Sequence, residues 1–323
     1  MSRLQASWYK PFSWSLLLLP LSLLFWLIST CRRKAYGSDI LKSHKLDVPV
    51  VVVGNINVGG NGKTPLVIYL SNFLKQQGYR PGIVSRGYGG KAASYPMQVQ
   101  TNSDPAHCGD EPLFIRQRVN CPVVVDPNRV RGADALVKQY KCNIVISDDG
   151  LQHYRLARDI EIAVVDGQRR EGNGLLLPAG PLREGKWRLQ QVDFIVLNGG
   201  KLKKDEYLMS LEPGQLVNVK FKGQTRPLNQ ITGAVSAIAG IGNPQRFFEL
   251  LHSKGIKLES TQAFPDHYHF KASDIPQGTV LMTEKDAVKC AGFARESWWY
   301  LPVSAKLTEK FNQDFLSKLR HYS

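Results

Sequence analysis

Cysteine is scarce in this chain and follows no pattern. The five cysteines, Cys31, Cys108, Cys121, Cys142 and Cys290, are an odd number with no C-x-x-C spacing. That excludes a disulfide framework and a cysteine-built zinc site, and it points to a reducing compartment. Acidic residues are short as well: 27 Asp and Glu face 42 Lys and Arg, a formal net charge of +15. Such a surplus draws phosphate-bearing partners, whether nucleotide, nucleic acid or lipid headgroup, without choosing among them. No internal repeat is present, and one leucine run is the only low-complexity stretch. A content of 43% hydrophobic and 21% charged residues excludes disorder and collagen-like structure. A length of 323 residues suits about two domains.

The strongest bias lies near the start. Residues 14–28 read WSLLLLPLSLLFWLI without a charge, and Arg32, Arg33 and Lys34 follow. Four consecutive leucines leave no polar face for a surface helix. As a helix the fifteen residues rise only ~22 Å against a hydrocarbon core of ~30 Å, and Pro20 is expected to kink them midway. No small-residue cleavage site follows, so the segment reads as an uncleaved anchor, spanning the bilayer or lying in its interface. The basic cluster after it leans towards a cytoplasmic location for the rest of the chain.

From residue 48 onward short β-branched runs alternate with helical patterns. The runs are VPVVVVGN, PGIVSRG, PVVVD, NIVISD, EIAVVD and DFIVLN, with helices expected near 64–77 and 130–140. Runs of this kind are strands buried on both faces, which makes the fold α/β: a mostly parallel sheet flanked by helices. After about residue 200 the pattern weakens through KLKKDEYLMSLEPGQ, and new elements begin with AVSAIAGIG, a helix from 244, a strand near 256–263, TVLMTEKD and a terminal helix from about 305. The expected organisation is an N-terminal helix over 1–34, a phosphate-loop core over 35–225 and a smaller α/β domain over 226–323.

The first strand runs into Asn57-Val58-Gly59-Gly60-Asn61-Gly62-Lys63-Thr64-Pro65, and an apolar helix pattern follows. Strand, glycine-rich loop and helix are the context of a P-loop: backbone N–H groups curl round a phosphate, Lys63 reaches the β and γ phosphates, and the Thr64 hydroxyl meets Mg²⁺. Asn57 stands where the general pattern has its first glycine. A dinucleotide loop is excluded, because G-x-G-x-x-G is absent. IVISDDG ends a strand in Asp148 and Asp149, where a Walker-B acid would orient Mg²⁺, although strand-end aspartates also simply form turns. Asp110 and Glu111 of GDEP stand before another helix and, in isolation, read as N-terminal capping groups more readily than as catalytic ones. Asp266, His267 and His269 of FPDHYHF suit proton handling better than metal binding, as no third histidine stands at ligand spacing. Nucleic-acid binding would rest on +15 alone, since most aromatics sit in the anchor or in apolar runs, so no nucleic-acid partner is expected.

Taken together, VGNINVGGNGKTP, VSRGYGG, GDEP, SDDGLQHYRLARD, LPAGPLRE, AGIGNP, FPDHYHF and TEKDAVK, spread over residues 53–289, closely resemble the tetraacyldisaccharide 4′-kinase family, the lipid A 4′-kinases of Gram-negative bacteria. That family itself lacks the first Walker glycine, so Asn57 fits it. The resemblance implies transfer of the γ-phosphoryl group of ATP, with Mg²⁺, to the 4′-hydroxyl of a tetraacylated glucosamine disaccharide 1-phosphate, giving lipid IVA at the cytoplasmic face of the inner membrane. It implies nucleotide binding by Asn57 through Thr64, metal binding by Thr64, Asp148 and Asp149, and proton removal by Asp110 with His267. Arg129 and Gln152 would line the nucleotide, and Arg183 and Glu184 the substrate. An acceptor that stays in the bilayer also accounts for the apolar N-terminus and the basic surface. The competing reading is a membrane-associated P-loop ATPase switch, but those loops commonly open Lys-Gly-Gly and here the lysine's place holds Val58.

Overall fold

The computed structural model describes residues 3–10, 12–266 and 268–322. The chain forms two compact units. One holds residues 1–210 together with 305–323, and the other holds 211–304. The sequence pattern places the change at 225/226 and leaves the terminal helix with the smaller part. In the structure that helix belongs to the first unit.

The first unit begins with α1 (Arg3–Ser7) and a 3₁₀ turn (Trp14–Leu18) that continues into α2 (Leu19–Gly37). Trp14–Gly37 is long and apolar enough to cross a membrane by length and composition. Pro20 falls not in the interior of α2 but in its first turn, where no intrahelical N–H is needed from it. Leu21, Leu24, Leu27 and Ile28 are exposed, and Ser22 is the one buried residue of α2.

There follow β1 (Val50–Gly54), α3 (Lys63–Gln76), β2 (Pro81–Ser85), β3 (Met97–Gln98), α4 (Pro105–Cys108) and α5 (Asp110–Arg118). The unit continues with β4 (Val123–Val125), α6 (Arg129–Lys138), β5 (Ile144–Asp148), β6 (Ile160–Asp166), β7 (Phe194–Asn198) and β8 (Glu206–Pro213). The second unit carries β9 (Leu216–Asn218), β10 (Thr225–Arg226), β11 (Val235–Ala239), α7 (Pro244–Ser253), β12 (Leu258–Ala263), β13 (Thr279–Thr283), α8 (Glu284–Cys290) and β14 (Trp298–Leu301). The chain leaves the first unit within β8 and returns within β15 (Val303–Leu307), ending in α9 (Glu309–Leu319). The segment from 305 therefore starts as strand, and its helix begins only at Glu309, where Thr308 caps the Phe311 N–H.

The first unit's sheet has nine strands in the order β15-β8-β7-β6-β1-β5-β2-β4-β3. Every neighbouring pair from β8 to β4 is parallel, and the edge strand β3 is antiparallel. The valine and isoleucine runs of β1, β2, β4, β5 and β6 are buried throughout because helices cover both faces. On one face Val50, Val52, Val84, Val124 and Val145 meet Val130, Ala133 and Leu136 of α6. On α9, Phe311 and Phe315 are fully buried, and their rings lie 5.5 and 6.0 Å from that of Phe194 on β7.

The second unit has a six-stranded mixed sheet, β10-β9-β14-β13-β11-β12, parallel from β14 to β12. Side chains alternate across it as a strand requires. Ala237, Leu281 and Trp299 join the cluster with Phe247 and Leu251 of α7, whereas Ile238, Val280, Met282 and Trp298 join Ala287 and Cys290 of α8.

Candidate active site

The glycine-rich loop joins the buried centre of the sheet to α3. Gly59 and Gly62 adopt φ of +101° and +95°, which side-chain-bearing residues rarely tolerate. A Cβ on Gly62 would stand 2.2 Å from Asn198 Nδ2, and that amide donates to the Asn61 carbonyl at 3.0 Å. The chain following β6 supports the loop from a second direction. The Val58 N–H donates to the Pro181 carbonyl at 2.8 Å and the Arg183 N–H to the Ile56 carbonyl at 2.6 Å, while Asn57 Nδ2 donates to the Arg170 carbonyl. Gly62 offers no capping side chain to α3, so the helix's first N–H groups and the positive end of its dipole are left for an anion. Asn61 Nδ2 is buried and has no hydrogen-bond partner. An orphaned donor inside a glycine cradle at a helix N-terminus fits a phosphate group.

Lys63 opens α3 with its side chain only 11% exposed. Its Nζ lies 3.3 Å from Asn55 Oδ1 and 3.4 Å from Asp149 Oδ1. The meeting follows from sheet register, since Val53 at the end of β1 pairs with Asp148 at the end of β5. The carboxyl ends of adjacent parallel strands are where ligands bind in such folds.

The two adjacent carboxylates have opposite electrostatics. Asp148 is buried and accepts from Ser85 Oγ at 3.1 Å. Burial first, then the charges of Glu111 and Asp149, push its pKa well above the usual carboxylate range. At Asp149 burial works in the same direction but is overcome by Lys63, Arg183 and Arg129, which hold the group at about 2. Arg183 lies 3.1 Å from Asp149 Oδ2, and Arg129, buried beneath the turn, donates to the Asp149 carbonyl at 2.8 Å. Asp149 itself has φ +48°. A divalent cation would hold Asp148 ionised. Among the described residues no group of three or more His, Cys, Asp or Glu forms a cage. Mg²⁺ characteristically takes one or two carboxylates and completes its shell with water and phosphate, so Asp148, Asp149 and the neighbouring Thr64 are a fitting donor set.

Gln152 and Glu184 are drawn into the same network, but inwardly. Gln152 Nε2 donates to the Asn55 carbonyl at 3.0 Å and to Glu184 Oε2 at 2.8 Å, and its Oε1 accepts from Arg183 at 3.3 Å. Glu184 is buried and also accepts from the Tyr154 hydroxyl. Asp110 is the first residue of α5, partly buried, with its Oδ1 accepting from the Glu111 N–H at 3.0 Å. His267 lies outside the described residues. Beside it in sequence, Asp266 pairs with Lys285 at 3.3 Å in the second unit.

Several groups at this site escape a sequence reading that stops at named motifs. Glu111 is the charge that acts most on Asp148, and its only sequence signal is the paired acid of GDEP. His153, within the DDGLQH stretch, is lowered to about 4 by burial and by Arg129, Arg158, Arg32 and Arg155, so it is neutral at pH 7. Its Nε2 is buried without a partner. Asn198 carries no motif at all, and sheet order alone brings it to the loop.

The family model described as tetraacyldisaccharide-1-P 4′-kinase matches residues 14–320. The chain is 54% identical over 303 residues to the tetraacyldisaccharide 4′-kinase of Pseudoalteromonas atlantica, covering 94% of this chain and 99% of that one. It is 50% identical over 310 residues to the protein of the same name from Haemophilus influenzae, with 95% and 93% covered. A crystal structure described as the "apo" form of LpxK from Aquifex aeolicus in complex with ATP is similar with a TM-score of 0.80 at 31% identity, covering 96% of this chain and all of that one.

Proposed function

The chain belongs to the tetraacyldisaccharide-1-P 4′-kinase family and shares its activity in lipid A biosynthesis, and on that premise we propose how its own residues carry out the transfer. ATP lies in the β1–α3 loop, and its γ-phosphoryl group passes to the 4′-hydroxyl of a tetraacylated glucosamine disaccharide 1-phosphate. The observation that carries this reading is the approach of Lys63 to Asp149, at 3.4 Å, across the ends of two adjacent parallel strands. The loop amides and Lys63 bind the β and γ phosphates. Thr64, Asp148 and Asp149 would hold Mg²⁺, which would supply neutralisation of phosphate charge.

Asp110 accepts the proton of the 4′-hydroxyl as its oxygen bonds to phosphorus and the bond from phosphorus to the β–γ bridging oxygen breaks, and the family resemblance alone assigns His267 to proton handling. Arg183 faces the reacting phosphate and substrate. Arg129 acts from beneath by fixing Asp149, and Glu184 acts through Gln152 and Tyr154, whose positions it sets. ATP turnover that stays slow until acceptor lipid is added supports a kinase; equally fast phosphate release without lipid would favour an ATPase switch.

The N-terminal apolar helix supports an anchor in the inner membrane, with the basic cluster and the catalytic units on the cytoplasmic side. Replacing Leu21, Leu24, Leu27 and Ile28 together by Gln is expected to move the protein from the membrane pellet to the supernatant at high salt, where attraction to anionic lipid is screened. Retention in the pellet under that condition would mean that other segments anchor it.

A further inference from the structure

The chain between β6 and β7 carries an arginine that none of the site assignments uses. Arg169 is largely buried, and its guanidinium is shared between two groups. Its Nε donates to Asp166 Oδ2 at the end of β6 at 3.3 Å, and its Nη2, 3.2 Å from the same carboxylate oxygen, also donates to the Gly60 carbonyl at 2.6 Å and to Asn61 Oδ1 at 3.4 Å. Asp166 is itself fixed, accepting from the Gln168 and Arg169 N–H groups at 3.0 Å each. A phosphate cradle needs its N–H groups turned inward and therefore its carbonyls turned outward. A charge-assisted donor on an outward carbonyl holds that arrangement.

The same segment also receives Trp8 and Tyr9. Trp8 is buried, donates from Nε1 to the Pro178 carbonyl at 2.9 Å, and accepts at its own carbonyl from the Asn173 N–H at 2.8 Å. Gly172, at φ +57°, leaves no room for a side chain there, since a Cβ would stand 3.0 Å from the Trp8 carbonyl oxygen. The Tyr9 ring centroid lies 5.9 Å from the Arg169 guanidinium carbon, within cation–π range. These residues precede the apolar helix, so their docking is distinct from anchoring.

We propose that Arg169 is a positioning residue for the phosphate-binding loop and that Trp8 and Tyr9 brace it, making these two residues ahead of the apolar helix part of the ATP site's support. The proposal rests on the reading that this loop binds ATP. Arg169→Lys keeps the charge opposite Asp166 but loses the fork that spans both partners. It is expected to raise the KM for ATP about tenfold, the loss typical of one charge-assisted hydrogen bond, with kcat and the KM for lipid within about twofold of wild type.

Deleting residues 2–10 and Tyr9→Ala leave the Asp166–Arg169 pair intact and should raise the same KM by a smaller factor. Tyr9→Phe should behave as wild type, because the ring and not the hydroxyl faces the guanidinium. Adding the deletion to Arg169→Lys should bring little further loss. Folded variants with an unchanged KM for ATP, or a loss confined to kcat or to the lipid KM, would overturn the brace. Lys63→Ala separates the two claims: if it leaves ATP affinity and turnover intact, the loop assignment has failed, and if it alone impairs ATP use, the brace has.

Discussion

Lys63→Ala, purified and folded, should lose roughly 10²–10³-fold in kcat, the scale on which a single preorganised donor stabilises developing charge in a water-poor site. The lysine opens a helix whose N-terminus has no side-chain cap, and its side chain is largely buried. Removing it takes away the positive charge beside the strand-end acid Asp149, 3.4 Å away. It also removes the first of the positive charges holding Asp149 ionised, so the variant's acid limb should move to higher pH. The sign follows from Asp149: its pKa is depressed in the folded state, and losing a cationic partner raises it. Steady-state kinetics over a pH series measures both effects. Wild-type turnover in the variant would remove the loop from the mechanism.

Asp110→Ala and His267→Ala should each lower kcat by about 10²–10³-fold, within the range removed when a general base is lost, with modest effect on the KM for ATP. If the carboxylate and the imidazole handle one proton as a unit, the double variant should be little worse than the worse single variant, because residues acting together are non-additive. Losses that multiply would assign separate roles, with His267 binding substrate and Asp110 alone accepting the proton. Glu111→Gln is an informative companion. Glu111 is the charge that most raises Asp148 after burial, and its neutralisation should lower that pKa.

What the sequence made legible follows from how local the cause is. The β-branched runs of β1, β5 and β6 are legible because strands covered on both faces need no alternation. The glycine-rich loop is legible because glycine at positive φ and a lysine opening a helix leave a compositional trace at Gly59, Gly62 and Lys63. β8, in contrast, buries only Met209 and carries charge among partly buried and exposed residues, so EYLMSLEP reads as a polar connection. The return of α9 to the first unit depends on Phe311 and Phe315 meeting Phe194 across more than a hundred residues, and amphipathicity alone cannot say which sheet such a helix covers. Arg129 and Glu184 are recognisable as family positions, yet their partners, the Asp149 carbonyl and the Tyr154 hydroxyl, are set by folding and have no spacing signature.

The most direct test of the central claim is the position of the new phosphate on the lipid formed from γ-labelled ATP and a tetraacylated glucosamine disaccharide 1-phosphate, read by mass and by NMR of the isolated product. One added phosphate is expected, on the 4′-oxygen, formed in step with ADP. Label appearing only as inorganic phosphate, or on any other oxygen of the lipid, would contradict it.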